Sequence, residues 1–356
     1  GLLWQQVPAD GCADLLHEAP VPQFVGLAIM SHAPGGGEAV GGCNPRTGRI
    51  CSGRAGRRGL ARSRKGQRMR IPPYWSKGTY TRLGRDGNEE HFSAYGWSFE
   101  SLQAAREDAR TRARRVAERI DNGTVPDEYE YLEHPLREEI CQTLDDGEGG
   151  EYPIAVITRN RYGALVLNAA GACFVDVDFP PVRSKGLIDS IRLALSSQRR
   201  RERQLQGRRE AEQRVKDWLE RRHGQAYRLY RTAAGLRLLL IDRAYAPDSA
   251  EVAALLEELG SDPLYRRLTT RQVCFRARLT PKPWRVGCSR PPARYPYRVE
   301  DLPGQKAWQK AYDRASEPYG VCRLVDARGT AGHPSIQAVI DLHDRFALKA
   351  NDAELA

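Results

Sequence analysis

Absences narrow the possibilities for this chain first. Its eight cysteines include no Cys-x-x-Cys pair, and no His/Cys group stands at zinc-ligand spacing, so a structural zinc site has no ligand set to use. Cys141, Cys173 and Cys274 lie in apolar contexts and are expected as buried thiols, which fits a reducing, cytoplasmic compartment. No apolar run approaches the length of a membrane span. The stretch 24–30 is too short, and no basic region precedes it, so it is not expected to be a signal peptide. The chain also lacks a Walker loop, a dinucleotide fingerprint and a Ser-His-Asp order with a nucleophile elbow.

Acidic charge is the minority: 45 Asp and Glu stand against 56 Lys and Arg. Arginine is much commoner than lysine, which suits phosphate, because the guanidinium fork matches phosphate oxygens. A GC-rich genome that puts Arg in place of Lys everywhere is the equal alternative. Methionine is scarce, with Met30 and Met69 the only two. Residues 1–68 are Gly/Ala/Arg-rich and show no sustained hydrophobic period. They are expected as a low-order extension, with Met69 as a natural start, or else as a basic nucleic-acid-binding arm.

From residue 69 the patterning becomes regular. Short alternating stretches around Asp86-Gly87 predict a hairpin. A helix capped by Ser98 should follow to about Ile120 and stop at Asp121-Asn122-Gly123. Its Arg106, Arg110, Arg114 and Arg115 face is expected as solvated surface. Residues 69–150 thus make a hairpin–helix module, with a short helix at 135–144 and an acidic loop at 145–150. Three apolar strands are expected at 154–158, 164–168 and 172–177. A long helix over 187–222 should project a charged centre into solvent and return to the core at Val215, Trp218 and Leu219. Strand–turn–strand over 227–242, a helix at 249–259 and a strand at 271–279 come next. The segment 301–356 is expected as a helical cap, with helices at 308–315 and 336–347, a strand at 322–326, and His333 and His343 as satisfied surface residues.

One motif stands out, Phe174-Val175-Asp176-Val177-Asp178-Phe179-Pro180. In a strand, residues i and i+2 share a face, so Asp176 and Asp178 converge at a strand end that Pro180 terminates. Two close carboxylates repel, and a hard cation such as Mg²⁺ or Mn²⁺ relieves that. A strand end with two solvated acids is the plain alternative. Downstream, the turn Thr232-Ala233-Ala234-Gly235 between Arg231 and Arg237 offers backbone N–H groups and cations for a phosphate, or a simple hairpin. Arg276 and Arg278 alternate with apolar residues on one strand, and Lys282, Trp284 and Arg285 follow on a Pro-rich turn. That basic surface with an aromatic suits nucleotide or nucleic-acid phosphates, with a solvated face as the alternative.

In this order, over about residues 150–300, the motifs resemble the archaeo-eukaryotic primase superfamily, which includes primase-polymerases. Asp176-Val177-Asp178 matches the family's strand-borne acid pair. Thr232–Arg237 looks like its small-residue turn, with Arg237 where the family has a His. Asp262 is the match to its third acid, with Asp242 as fallback, and 275–285 resembles its basic strand and turn. The resemblance implies an α+β fold with a mixed or antiparallel primase-like sheet at 151–300, flanked by helices. It implies nucleotidyl transfer on nucleic acid with two divalent metals, Mg²⁺ or Mn²⁺, held by Asp176, Asp178 and Asp262. Arg231, Thr232, Gly235 and Arg237 would hold the triphosphate, and Arg276, Arg278, Lys282 and Arg285 the phosphates of nucleotide or template. Nucleic acid and nucleotides, and no membrane, are the expected partners. A non-catalytic nucleic-acid-binding protein keeping a degenerate form of the fold, or a metal-dependent glycosyltransferase using Asp-x-Asp, are the alternatives.

Overall fold

The computed structural model describes residues 69–356 apart from 85, 124–133, 146–150, 183, 185, 187–190, 192–193 and 351. The expectations for 1–68 and for the loop at 146–150 lie outside the described residues. Among those described, the chain is α+β, with ten strands, six α-helices and antiparallel pairing throughout its three sheets.

The first unit is a hairpin, β1 (Tyr74–Leu83) and β2 (Glu89–Ser98), covered by helix α1 (Leu102–Asp121). Gly87 takes φ +79° in its turn, which the Asp-Gly pair anticipates. Close packing of hairpin and helix depends on glycine. A Cβ on Gly96 would sit 2.1 Å from Ala109 N, and one on Gly78 would sit 2.6 Å from Ala109 C. The helix answers with a stripe of Ala105, Ala109, Ala113 and Ala117, all buried. Alanines four apart share a helix face, so two small surfaces meet backbone to backbone. The helix begins later than expected. Ser101, not Ser98, accepts the Ala104 amide at 3.1 Å, while Ser98 Oγ accepts the Glu100 amide.

The second sheet has the order β3-β4-β5-β9, built from Glu139–Leu144, Ala155–Arg159, Leu165–Ala169 and Phe275–Arg278. The expected helix at 135–144 is therefore a correction: 139–144 pairs with β4. A six-residue segment with two β-formers, Ile140 and Thr143, is decided by the strand beside it, not by its own propensity. The third sheet has the order β10-β7-β8-β6, from Cys322–Arg328, Tyr227–Thr232, Gly235–Leu240 and Cys173–Asp178. All six residues of β8 are buried, as its near-continuous apolar run requires of a central strand.

Helix α2 (Ser197–Glu220) exposes most of its charged half and buries Val215, Trp218 and Leu219 in the core. Helix α3 (Ala250–Glu258) is capped by Ser249, and α4 (Pro263–Gln272) by Asp262. Residues 271–272 thus belong to a helix and not to the following strand. A left-handed Val273, φ +53°, makes the transition. Helices α5 (Leu302–Ser316) and α6 (Pro334–Ala347) complete the chain. The segment 301–356 does more than cap: β10 is the edge strand beside β7, and α6 buries Ile336, Val339 and Ile340 in the main core.

The two four-stranded sheets share one core, which holds Phe174, Leu238, Phe275 and Trp218 together. Their edge strands β6 and β9 meet at a seam that side chains bridge. The Tyr265 hydroxyl donates to Phe174 O at 2.8 Å and accepts the Arg276 amide at 3.4 Å. Arg237 Nη1 donates to Arg278 O at 3.0 Å. The candidate residues gather at the end of this seam.

Candidate functional site

Strand pairing sets the first contact. Asp176 stands opposite Arg237, and Asp178 opposite Gly235, in the β6–β8 ladder. Arg237 is 2 % exposed. Its Nε lies 2.9 Å and its Nη2 3.4 Å from the two Asp176 oxygens, while Nη1 reaches Arg278 O and His343 Nε2. Burial opposes its charge, yet Asp176 raises its pKa above the ordinary value. An external triphosphate therefore has no route to Arg237 in this arrangement. The residue anchors Asp176 instead.

Behind Arg237 lies a relay absent from the sequence reading. His343 is fully buried between Phe174 and Tyr230, which corrects the expectation of a surface histidine. Its Nε2 accepts from Arg237, so its Nδ1 carries the proton and donates to Asp344 at 2.8 Å. Burial lowers its pKa and keeps it neutral. Asp344 also accepts from Tyr230 and Arg228. The adjacent His-Asp pair on a helix is a weak signal in sequence, and only the fold shows that it backs Asp176.

Asp178 faces the absent side chain of Gly235. There a Cβ would lie 2.2 Å from Val177 O, so glycine serves the close strand approach. The Asp178 carboxyl is pushed up by burial and by the nearby charges of Asp176 and Asp262, against Lys282 and Arg278. Asp262 is thus the third acid near the pair. Asp242 lies just past the other end of β8, accepting from Tyr245 and Gln225. The three acids are neighbours but point to different partners. Asp176 turns to Arg237, and one Asp262 oxygen caps α4, accepting the Leu264 and Tyr265 amides. Among the described residues, no group of three His, Cys, Asp or Glu side chains is set to hold a metal ion. The donor chemistry itself, carboxylate oxygen, is that of Mg²⁺ and Mn²⁺ sites, and each Asp176 oxygen keeps a second lone pair.

Cations face the acids from the other sheet. Arg278, Lys282 and Arg285 crowd together: burial, Arg237 and Arg285 depress Arg278 to about 10. Burial with Arg278 and Arg285 likewise lowers Lys282. Arg278 Nε and Arg285 Nη1 are buried without a hydrogen-bond acceptor among the described residues. Orphaned N–H groups on cations are costly and mark a place for an anion. Trp284, half-exposed, stands beside Lys282 and edge-on to Tyr162. The Tyr312 hydroxyl donates to Pro281 O at 2.6 Å and pins this turn.

The remaining expected residues lie elsewhere. Arg276 shares a strand face with Arg278 but is bound to Glu138 at 2.8 and 2.9 Å, and Glu138 also accepts from Thr158. Arg231 pairs with Glu212 at 2.6 Å, and Thr232 pairs with Cys322 at the end of β7. The turn between β7 and β8 gives its Ala234 carbonyl to the Phe179 amide. Compared with protein-family models, with curated proteins and with solved structures, the chain gives no match in any of the three.

Proposed function

We propose that the seam end is a nucleotide site serving nucleotidyl transfer on nucleic acid with divalent metal. One observation carries this: Arg278 and Arg285 each keep a buried N–H group without an acceptor among the described residues, and Arg278 and Lys282 are near enough to Asp178 for their charges to oppose the rise of its carboxyl pKa. A polyphosphate carrying a divalent cation satisfies both sides at once. Arg278, Lys282 and Arg285 would hold the phosphates, with charge-assisted hydrogen bonds from the two arginines. Trp284 offers an aromatic platform beside them for a base. Asp176, Asp178 and Asp262 would hold Mg²⁺ or Mn²⁺, with Asp176 steered by Arg237. The chemistry a divalent ion would supply there is Lewis-acid activation of an attacking hydroxyl and neutralisation of charge on a departing pyrophosphate.

A second reading, a non-catalytic nucleic-acid-binding protein, is favoured by the Arg237–Asp176 ion pair, which occupies one of the two strand acids. Primer extension separates the two. With Mn²⁺, a primer–template and all four nucleotides, the wild type extends the primer and Asp178→Asn does not, while both melt at similar temperatures. Extension that persists in Asp176→Ala/Asp178→Ala overturns the assignment. A wild type that extends nothing with any metal or nucleotide type, yet binds strands tightly, supports the second reading.

A further inference from the structure

We infer that a second site, the cleft between the hairpin–helix module and the β3–β4 edge of the second sheet, binds a single strand of nucleic acid. The cleft has a volume of about 620 Å³, within the range of ligand-sized cavities. Among the described residues, seven arginines line it with one lining carboxylate, Glu138, which already holds Arg276, while Arg112 and Arg159 are paired with Asp108 and Glu139. Arg115 on α1 and Arg294 after the Pro-rich turn are exposed and form no ion pair among the described residues. Arg161 belongs to the β4–β5 turn. The cations therefore come from separate elements around the cleft, as a track for successive phosphates requires, and not from one point as a lone phosphate would.

The walls suit bases. Arg112 stacks on Trp97 with its guanidinium 3.6 Å from the ring centroid, and Arg137 on Tyr95 at 3.7 Å. Tyr295 also lines the space. Unpaired bases stack equally on aromatic rings and guanidinium planes. Two amide oxygens, Gln272 Oε1 and Gln305 Oε1, belong to lining residues only 6 % and 3 % exposed and have no hydrogen-bond partner among the described residues. Buried acceptors without donors are rare, and the N–H groups of a base edge are donors of the right kind.

The cleft adjoins the seam site. Arg161 lines it, and the next residue, Tyr162, touches Trp284 beside Lys282. A strand held in the cleft is thus led toward the acids. The inference itself rests on the cleft alone and does not need the seam site to be catalytic.

The test is fluorescence anisotropy of a labelled ten-residue thymidine oligonucleotide with the full chain, at several salt concentrations. Arg115→Glu/Arg294→Glu, at two exposed positions, should bind at least tenfold more weakly at unchanged melting temperature. Its log K against log salt should be shallower by about 1.4, since each single-strand phosphate contact contributes about 0.7. Asp178→Asn should bind the oligonucleotide at least as tightly as the wild type, even if it abolishes extension, so the two sites fail separately. Wild-type affinity and slope in the double variant overturn the inference. So does loss of binding in Lys282→Glu with none in the double variant, which would place the strand at the seam. Displacement of the oligonucleotide by thymidine monophosphate at equal nucleotide concentration would make the cleft a mononucleotide pocket and also overturn it.

Discussion

Arg237 and Asp176 face each other across adjacent strands, 61 residues apart in sequence, as a buried guanidinium gripping a half-exposed carboxylate. The pair is a hub of contacts, since the same guanidinium also ties His343 and the Arg278 carbonyl. Removing the guanidinium takes its donors from Asp176, the Arg278 carbonyl and His343 Nε2, and leaves His343 Nε2 only the Cys322 thiol at 4.0 Å. Breaking a buried pair from one side costs about 3–5 kcal/mol, and the partial exposure of Asp176 puts this case near the low end. Arg237→Met should therefore lower stability by about 3 kcal/mol in urea unfolding. Arg237→Lys should recover little, because one ammonium cannot span the same acceptors. A loss under about 0.5 kcal/mol, the scale of an ordinary surface change, would show the anchor to be dispensable.

Metal should register in stability before it registers in activity. With Mn²⁺ at a hundred times its dissociation constant, the native state gains about 2.7 kcal/mol by mass action. Thermal melts of the wild type should shift upward with Mn²⁺, and those of Asp178→Asn should not. Equal shifts in both proteins would place the ion elsewhere.

Acid should destabilise the fold in two steps. His343 is held neutral by burial, with Arg237 adding to the effect and Asp344 and Asp176 opposing it. Its folded pKa lies below the unfolded value of about 6.5, so its contribution is complete above that pH and is lost as pH falls toward the folded value. Burial alone would raise Asp344, but hydrogen bonds from His343 and Tyr230 outweigh it and hold the carboxyl below its ordinary value. That contribution is present above about pH 4 and disappears on further acidification. Melting temperatures of His343→Gln should fall less than wild type between pH 7 and 5. Asp344→Asn should flatten the curve below pH 4. Parallel curves for all three proteins would remove the relay from the account.

The hairpin–helix module should fail on its own terms. Gly96→Val puts a side chain where Ala109 backbone already lies, and overpacking costs about 1–3 kcal/mol or more. Hydrogen exchange should quicken in α1 and the hairpin while β8 and α6 keep wild-type protection. Uniform acceleration across the chain would mean that the module and the sheets unfold as one unit.

Local signals made much of the fold legible. The apolar runs at β4, β5, β6 and β8, the Asp-Gly hairpin and the helix stop at Asn122-Gly123 are all patterns within a few residues. Segment 139–144 reads as helix or strand from its short sequence, and its partner β4 makes it a strand. The site was legible only in part. Asp176 and Asp178 announce themselves by spacing. Arg237 sits where a ligand contact was expected, yet it is consumed by Asp176, which a register between strands 61 residues apart determines. His343, 106 residues from Arg237, carries no sign in sequence of the residue that it touches. Arg276 and Arg278 look equivalent on their strand. Only the presence of Glu138 beside one of them tells structure from site.

The seam between β6 and β9 has a mechanical consequence. The strand acids Asp176 and Asp178 ride on one sheet and the cations on, or just past, the edge strand of the other, and a phenol and a guanidinium bridge the boundary between them. A ligand that engages both sides is a clamp, drawing Asp178 toward Arg278 and Lys282 across that line. Occupancy of the site is then also a measure of how firmly the two halves of the molecule are latched.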